Sequence, residues 1–162
     1  MSKEHYYNVS IEWTGNCGSG TSAYNAYKRD HSISSSGKTI IEASADPAFR
    51  GDASKYNPEE FLVASLATCH MLWFLHLCAD AGVVVTQYHD NPNGTLLEDA
   101  QGSGTFKEVV LHPTVVVKQK EMLDKVEELH KQAHKKCFIA KSVNFDVKHI
   151  SSVSVEQIKK SE

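Results

Sequence analysis

Four cysteines, Cys17, Cys69, Cys78 and Cys137, and nine histidines stand among 162 residues. The start, MSKEHYYNVS, lacks the apolar stretch of a secretory signal, so a reducing cytoplasmic setting is expected, where cysteines serve as thiols, ligands or redox groups. Cys69 lies about eleven residues into a predicted apolar helix. The helix dipole fades within the first turn, so stabilising a thiolate there needs an external cation. Without one, Cys69 reads as a small core residue, as Cys78 does. The two are nine positions apart, about 13.5 Å of helix rise, too far for a disulfide within it. Cys17, in a glycine-rich loop, carries no chemistry in this reading. Cys137 follows the basic run HKQAHKK and is placed to open a short helix, two circumstances that lower a thiol pKa. His130, His134 and Cys137 also have the spacing of three zinc ligands, with Cys69 or His70 as a fourth. Adjacency in one helix points the Cys69 and His70 side chains about 100° apart, poor geometry for a nucleophile and its base.

The elements that must position these residues are legible from pattern. Residues 6–14 alternate as a strand, an extended run is expected near Ala23–Tyr27, and Ile33 with Thr39–Ala43 frames a hairpin turning at Ser34–Gly37. After a loop, Asp46–Tyr56, a helix starts with Asn57 as cap, Pro58 at the first position, and Glu59 and Glu60 in the first turn. Phe61–Ala79 runs 19 residues without Asp, Glu, Lys or Arg, long enough for a membrane span. Two histidines, a serine and a threonine interrupt it and both flanks are acidic, so it reads instead as a core helix. From Pro58 to Ala81 it would measure roughly 36 Å, longer than a small domain is wide, so a second subunit is expected to cover it. Gly82 stops it. Val83–Asp90 reads as a strand, Asn91–Gly94 as a turn, and Thr105–Val110 with Thr114–Lys118 as one strand or two pieces broken near Pro113. Glu121–His134 reads as an amphipathic helix with Met122, Val126, Leu129 and Ala133 on one stripe, and Val143–Ile150 as a last strand before a polar tail. The expectation is one α+β domain over residues 1–162, with antiparallel sheets around a long buried helix and a second helix.

The net charge of −3 lacks the basic footprint of nucleic-acid binding. Fifteen of the 17 basic residues are lysines, the arginines being Arg29 and Arg50 alone. Generic positive charge needs no arginine, so each is a candidate for a place where the fixed guanidinium fork matters.

The stretch from Asn57-Pro-Glu-Glu to Cys69, with a second cysteine 68 residues on at His-Lys-Lys-Cys137, resembles the family of osmotically inducible protein C and organic hydroperoxide resistance proteins (OsmC/Ohr). His70 after Cys69, where an aromatic residue is usual, and Phe138 after Cys137, where proline is common, place the resemblance in the OsmC-like branch. The resemblance implies two intertwined chains forming a homodimer with active sites at the interface, and a cysteine-dependent peroxidase that answers oxidative stress. Cys69 would be oxidised by an organic hydroperoxide to a sulfenic acid, and Cys137 would resolve it as a disulfide. An arginine would hold the thiolate, and Glu59 would orient that arginine. Arg29 matches the position used in one branch of the family and Arg50 that of the other; Arg50 is preferred because its loop leads into the helix bearing Glu59. Glu59 and Cys69, about 15 Å apart along one helix, would meet only between antiparallel copies of it. A dithiol, of lipoyl type in the family, would be the reductant, with no metal or other cofactor and no nucleic-acid or membrane partner. The alternative is a non-catalytic dimeric module that binds a hydrophobic ligand on the same fold.

Overall fold

The computed structural model describes residues 3–157 as two compact units, one up to Phe61 and the other from Leu62 on.

In the first unit, β1 (Ser10–Trp13), β2 (His31–Ser34) and β3 (Ile41–Ala43) form an antiparallel sheet in that order. Between β1 and β2 the chain makes a closed loop. Lys28 N–H donates to the Gly15 carbonyl at 2.9 Å, and the Trp13 indole N–H donates to the Lys28 carbonyl at 2.9 Å. A side chain at Gly15 would run into that carbonyl, so the close approach requires glycine. The extended run expected at Ala23–Tyr27 is turn and bend instead. The carbonyls of Tyr24 and Tyr27 point inward and accept from the Arg29 guanidinium, which no regular strand permits.

Helix α1 (Pro58–Asp80) begins as the sequence dictates. Asn57 Oδ1 accepts from Glu60 N–H at 2.8 Å and a Glu60 carboxylate oxygen accepts from Asn57 N–H at 3.0 Å, a capping box that satisfies two donors at once. Gly82 ends it in the left-handed region at φ 67°, where glycine alone is free of strain.

The second unit carries three long bent strands, each cut near its middle so that its halves lie in different sheets. They are β4 (Val85–Asp90) and β5 (Asn93–Glu98), β6 (Gly104–Leu111) and β7 (Pro113–Val117), and β8 (Asp146–His149) and β9 (Ser152–Val155). The sheets run β4-β7-β9 and β5-β6-β8, each with an antiparallel and a parallel pair. Pro92 and Pro113 lack the N–H a continuous ladder needs, so of the two readings at Pro113 the broken one holds. The sheets are thus mixed, because β8 and β9 return alongside β6 and β7 after the second helix, α2 (Leu123–Lys136).

Helix α1 buries the stripe Leu66, His70, Phe74 and Cys78, the i, i+4 ridge of one face. Phe74 and Cys78 pack with Val126, Leu129 and Ala133 of α2 and with Val115 and Val117 of β7; Leu66 packs with Val109 and Leu111 of β6. Burying Phe74 alone is worth about 2–3 kcal/mol. Of the most apolar 18-residue window of α1, 28% is buried within the chain, and Leu72 on its outer face is 64% exposed. Burial on all sides, expected from the sequence, is therefore not reached in the single chain.

Candidate functional site

Helix α1 carries Cys69 in its middle, half-buried, and Cys137 caps the C-terminal end of α2, 1% exposed. The second unit brings these two cysteines together. Burial first, and interaction with the Cys69 thiol second, push the Cys137 thiol up to about 11. The depressed pKa expected from the basic run does not occur. Lys135 and Lys136 are exposed, and Cys137 follows the negative end of the α2 dipole rather than opening a helix; the single turn beyond it starts only at Ala140. Both sulfurs are free thiols. Next to them, Trp73, one turn after Cys69 on α1, meets the Phe138 ring edge-on at 5.8 Å, and the Lys136 ammonium lies 5.2 Å from the Trp73 ring centre. Phe138 is 66% exposed, so the half-buried Cys69 lies beside an aromatic wall that faces solvent. The spacing of Trp73 from Cys69 was readable in the sequence; its pairing with Phe138 was not.

Cys78 is a core thiol, as expected, with burial raising it to about 11. Cys17 is exposed in its loop.

The zinc arrangement is not formed: among the described residues no three His, Cys, Asp or Glu side chains are disposed to hold a metal ion. The histidines face one another instead. His70 Nε2 and His130 Nδ1 share a hydrogen bond of 2.9 Å between rings inclined by 4°. His130 also stacks on Phe74 at 3.9 Å, and the His149 ring of β8 lies 5.6 and 5.5 Å from the two imidazoles. Burial, and then the neighbouring histidines, push His70 down to about 4 and His130 to about 3. Both rings are therefore neutral at physiological pH. His70 Nδ1 and His130 Nε2 are buried with no partner. This pairing spans 60 positions, and no local pattern in the sequence signals it.

The two arginines of the first unit differ. Arg29 is occupied: it donates to the carbonyls of Tyr27 and Tyr24 at 2.7 and 2.8 Å, and its guanidinium lies 4.1 and 4.3 Å from their ring centres. Arg50 has a left-handed backbone at φ 67°, the only such non-glycine residue among those described, in a conformation that costs of order 1–2 kcal/mol. Its side chain makes no hydrogen bond or ion pair among the described residues, and its cation lies 5.9 Å from the Tyr24 ring centre. Both line a cleft of about 270 Å³ with Lys28, Asp30 and Asp52. Glu59 stands in the first turn of α1, ten positions before Cys69.

Chemically, the second unit offers two adjacent thiols, one reachable and one sealed and protonated, which is the arrangement of a dithiol able to close to a disulfide. The OsmC-like protein family model matches residues 51–151. The chain is similar to an OsmC-like protein of unknown function from Vibrio cholerae, at 32% identity and a TM-score of 0.82, over 92% of this chain and 100% of that one. It shares its fold with the organic hydroperoxide resistance protein OhrB of Bacillus subtilis, at 20% identity and a TM-score of 0.60, over 90% and 98%. The uncharacterized protein YmaD of Bacillus subtilis is 23% identical over 156 residues, 94% of this chain and 96% of the other. With its α+β fold and a family match across more than half its length, the chain belongs to the OsmC-like family.

Proposed function

We propose that this protein is a cytoplasmic thiol peroxidase that reduces organic hydroperoxides, with Cys69 as the attacking and Cys137 as the resolving cysteine. The observation that carries the reading is the meeting of these two thiols, 68 residues apart in the chain, one half-exposed and the other sealed. The Cys69 thiolate attacks the terminal oxygen of the hydroperoxide; an S–O bond forms, the O–O bond breaks, and the alkoxide leaves as the alcohol after taking a proton. Cys69 is then a sulfenic acid. Cys137, held near 11, stays a thiol and does not compete for peroxide. Once Cys69 is oxidised, Cys137 sulfur attacks the Cys69 sulfur, the S–S bond forms, and the sulfenic hydroxyl leaves as water with the proton from Cys137. A dithiol of lipoyl type then returns both cysteines to thiols by exchange.

Arg50, with its strained backbone and unoccupied fork, is the cation assigned to the Cys69 thiolate, and Glu59 the carboxylate that orients it. Arg29 is assigned a structural role, because its donors already serve two carbonyls. The open apolar face of α1 and the exposed Tyr6, Tyr7, Val9 and Ile11 support a homodimer, since exposed apolar surface of this kind marks interaction sites.

The test is a thiol count, intact mass and peptide map of reduced protein before and after one equivalent of cumene hydroperoxide. Loss of two thiols with a Cys69–Cys137 link is the expected result. Four unchanged thiols and unconsumed peroxide would sink the peroxidase reading and leave a ligand-binding module on the same fold.

A further inference from the structure

The buried histidine pair belongs to no step of this chemistry, yet it lies between the two helices that carry the thiols. His70 directly follows Cys69 on α1. His130 precedes Cys137 by seven residues, two turns, so the two lie on one stripe of α2 about 10.5 Å apart along its axis. A slide of α1 along α2 that moves Cys69 from Cys137 also stretches the bond of 2.9 Å between His70 Nε2 and His130 Nδ1.

The remaining contacts between these helices are poor at fixing such a register. They come from Phe74, Cys78, Val126, Leu129 and Ala133, apolar groups whose attraction has no direction, and from the Lys136 ammonium 5.2 Å from the Trp73 ring centre. A hydrogen bond has a set length and direction. The Phe74 ring, stacked on His130 at 3.9 Å and 6°, covers one face of that imidazole while the hydrogen bond holds its edge. The arrangement has a cost. Both residues are about 1% exposed or less, each ring keeps one nitrogen unpaired, and a buried donor or acceptor without a partner is destabilising. Two apolar side chains would serve stability better; what they would lack is the directional tie, and fixing a register is the best-attested use of a buried polar pair. The thiols need such a tie, because a disulfide closes only with Cα atoms about 4.4–6.8 Å apart.

We propose that the His70–His130 hydrogen bond locks the register of α1 on α2 and so holds Cys69 opposite Cys137, making these histidines positioning residues for disulfide closure. The inference rests on the redox partnership of the two cysteines proposed above.

The experiment uses the full chain and three forms: wild type, His130→Phe, which keeps the ring on Phe74 and removes the bond, and His130→Asn, whose amide can replace Nδ1 toward His70. Each is equilibrated with glutathione, two protein thiols and one glutathione disulfide giving the protein disulfide and two glutathione thiols. The fraction of Cys69–Cys137 disulfide gives the effective concentration of the pair. In parallel, sulfenic acid at Cys69 is trapped with dimedone after one equivalent of cumene hydroperoxide. His130→Phe is expected to lower the effective concentration about tenfold, a rise of about 30 mV in potential, with the rate of Cys69 oxidation unchanged. His130→Asn is expected to recover most of the loss. An effective concentration in His130→Phe within about twofold of wild type, or an Asn variant no better than Phe, overturns the proposal. Circular dichroism checks folding; should His130→Phe fail to fold, His70→Phe and His70→Gln make the same comparison. The glutathione equilibrium needs no peroxide. A wild type that forms the disulfide there but consumes no hydroperoxide defeats the peroxidase reading and leaves the lock to be judged by its variants, whereas no disulfide in either assay overturns both.

Discussion

Two of the side-chain pairs between α1 and the segment from α2 to its cap Cys137 start from neighbouring residues of α1, Cys69 and His70, and have opposite characters. Cys69 and Cys137 form a pair with one member open to solvent. His70 and His130 form a pair wholly shut away, hydrogen-bonded, neutral and stacked on Phe74. Burial acts on both in the same sense, against the charged form: it raises Cys137 to about 11 and lowers His130 to about 3. A protonated thiol remains a latent nucleophile, whereas a neutral imidazole hydrogen-bonded at its edge and stacked on one face is held away from solvent. On the proposed mechanism, the residue type best known for acid–base work is the fixed framework, and the softer thiols do the chemistry.

The largest effect is expected at Cys69. Cys69→Ser should lower peroxide consumption by about 10³-fold or more, over 4 kcal/mol on the transition-state scale, with the fold intact by circular dichroism. Cys137→Ser should still consume one equivalent and stop at a sulfenic acid, visible as a dimedone adduct at Cys69. Equal losses of the first turnover in both variants would mean that the division between attacking and resolving thiol is wrong.

Sharpening the thiol side requires its cation. Arg50→Ala should reduce the rate of Cys69 oxidation by roughly 10²-fold, the usual cost of removing one preorganised charge partner, with little change in melting temperature. Arg29→Ala should do the reverse: the cation between Tyr24 and Tyr27 is lost and stability falls, while oxidation stays within a few-fold. Stopped-flow oxidation and thermal melts of the same samples decide it, and an exchanged pattern would move the catalytic assignment to Arg29.

The histidine side is sharpened by acid. In the unfolded chain both rings take up protons near pH 6.5, whereas folded His70 and His130 do so only near 4 and 3. The unfolded state therefore binds more protons below pH 6.5, and stability, full above that value, is lost as pH falls toward 4. The other ionisable groups around the pair are His134 from α2 and His149 from β8, the latter paired with Glu127 of α2. Replacing one buried ring by His130→Phe should flatten the slope of unfolding free energy between pH 6 and 4 by about 1.4 kcal/mol per pH unit. Urea titrations at several pH values measure it, and an unchanged slope would mean that the ring was not buried neutral.

How much of this was legible in the sequence follows from the range of each interaction. Helix α1 was readable at both ends because its signals are local: Asn57 and Pro58 at one, Gly82 at the other. Helix α2 was readable as a stripe, although the residues just before it, Lys120–Met122, wind as a tighter turn and shift its start to Leu123. Strand β5 was read as turn and unassigned chain, because all six of its residues are exposed and alternation has nothing to report. Strand β9, SVSV in the polar tail, exists through parallel pairing with β7, a partner nearly forty residues away. The same limit applies to the site. Cys69 and Cys137 were singled out by motif, but the basic run before Cys137 pointed to a lowered pKa. Sequence gives the neighbours of a thiol along the chain, and burial decided the sign. Likewise His130 and His134 had the spacing of ligands, while the imidazole that His130 meets comes from another helix.

The smallest effect expected is the control that separates positioning from stability. Asn57→Ala removes one acceptor of the capping box and should cost about 1 kcal/mol, read as a lower urea midpoint with an unchanged slope. Helix α1 would fray at its first turn, three turns before Cys69, while the His70–His130 bond is left as it was. If register is set at that bond, the Asn57→Ala protein loses stability but keeps the effective concentration of the Cys69–Cys137 disulfide within about twofold of wild type. His130→Phe does the opposite, losing effective concentration whatever happens to its midpoint. Should the cap variant lose disulfide propensity in proportion to its lost stability, closure of the thiol pair would be following the general firmness of α1, and the imidazole pair would be one core contact among many.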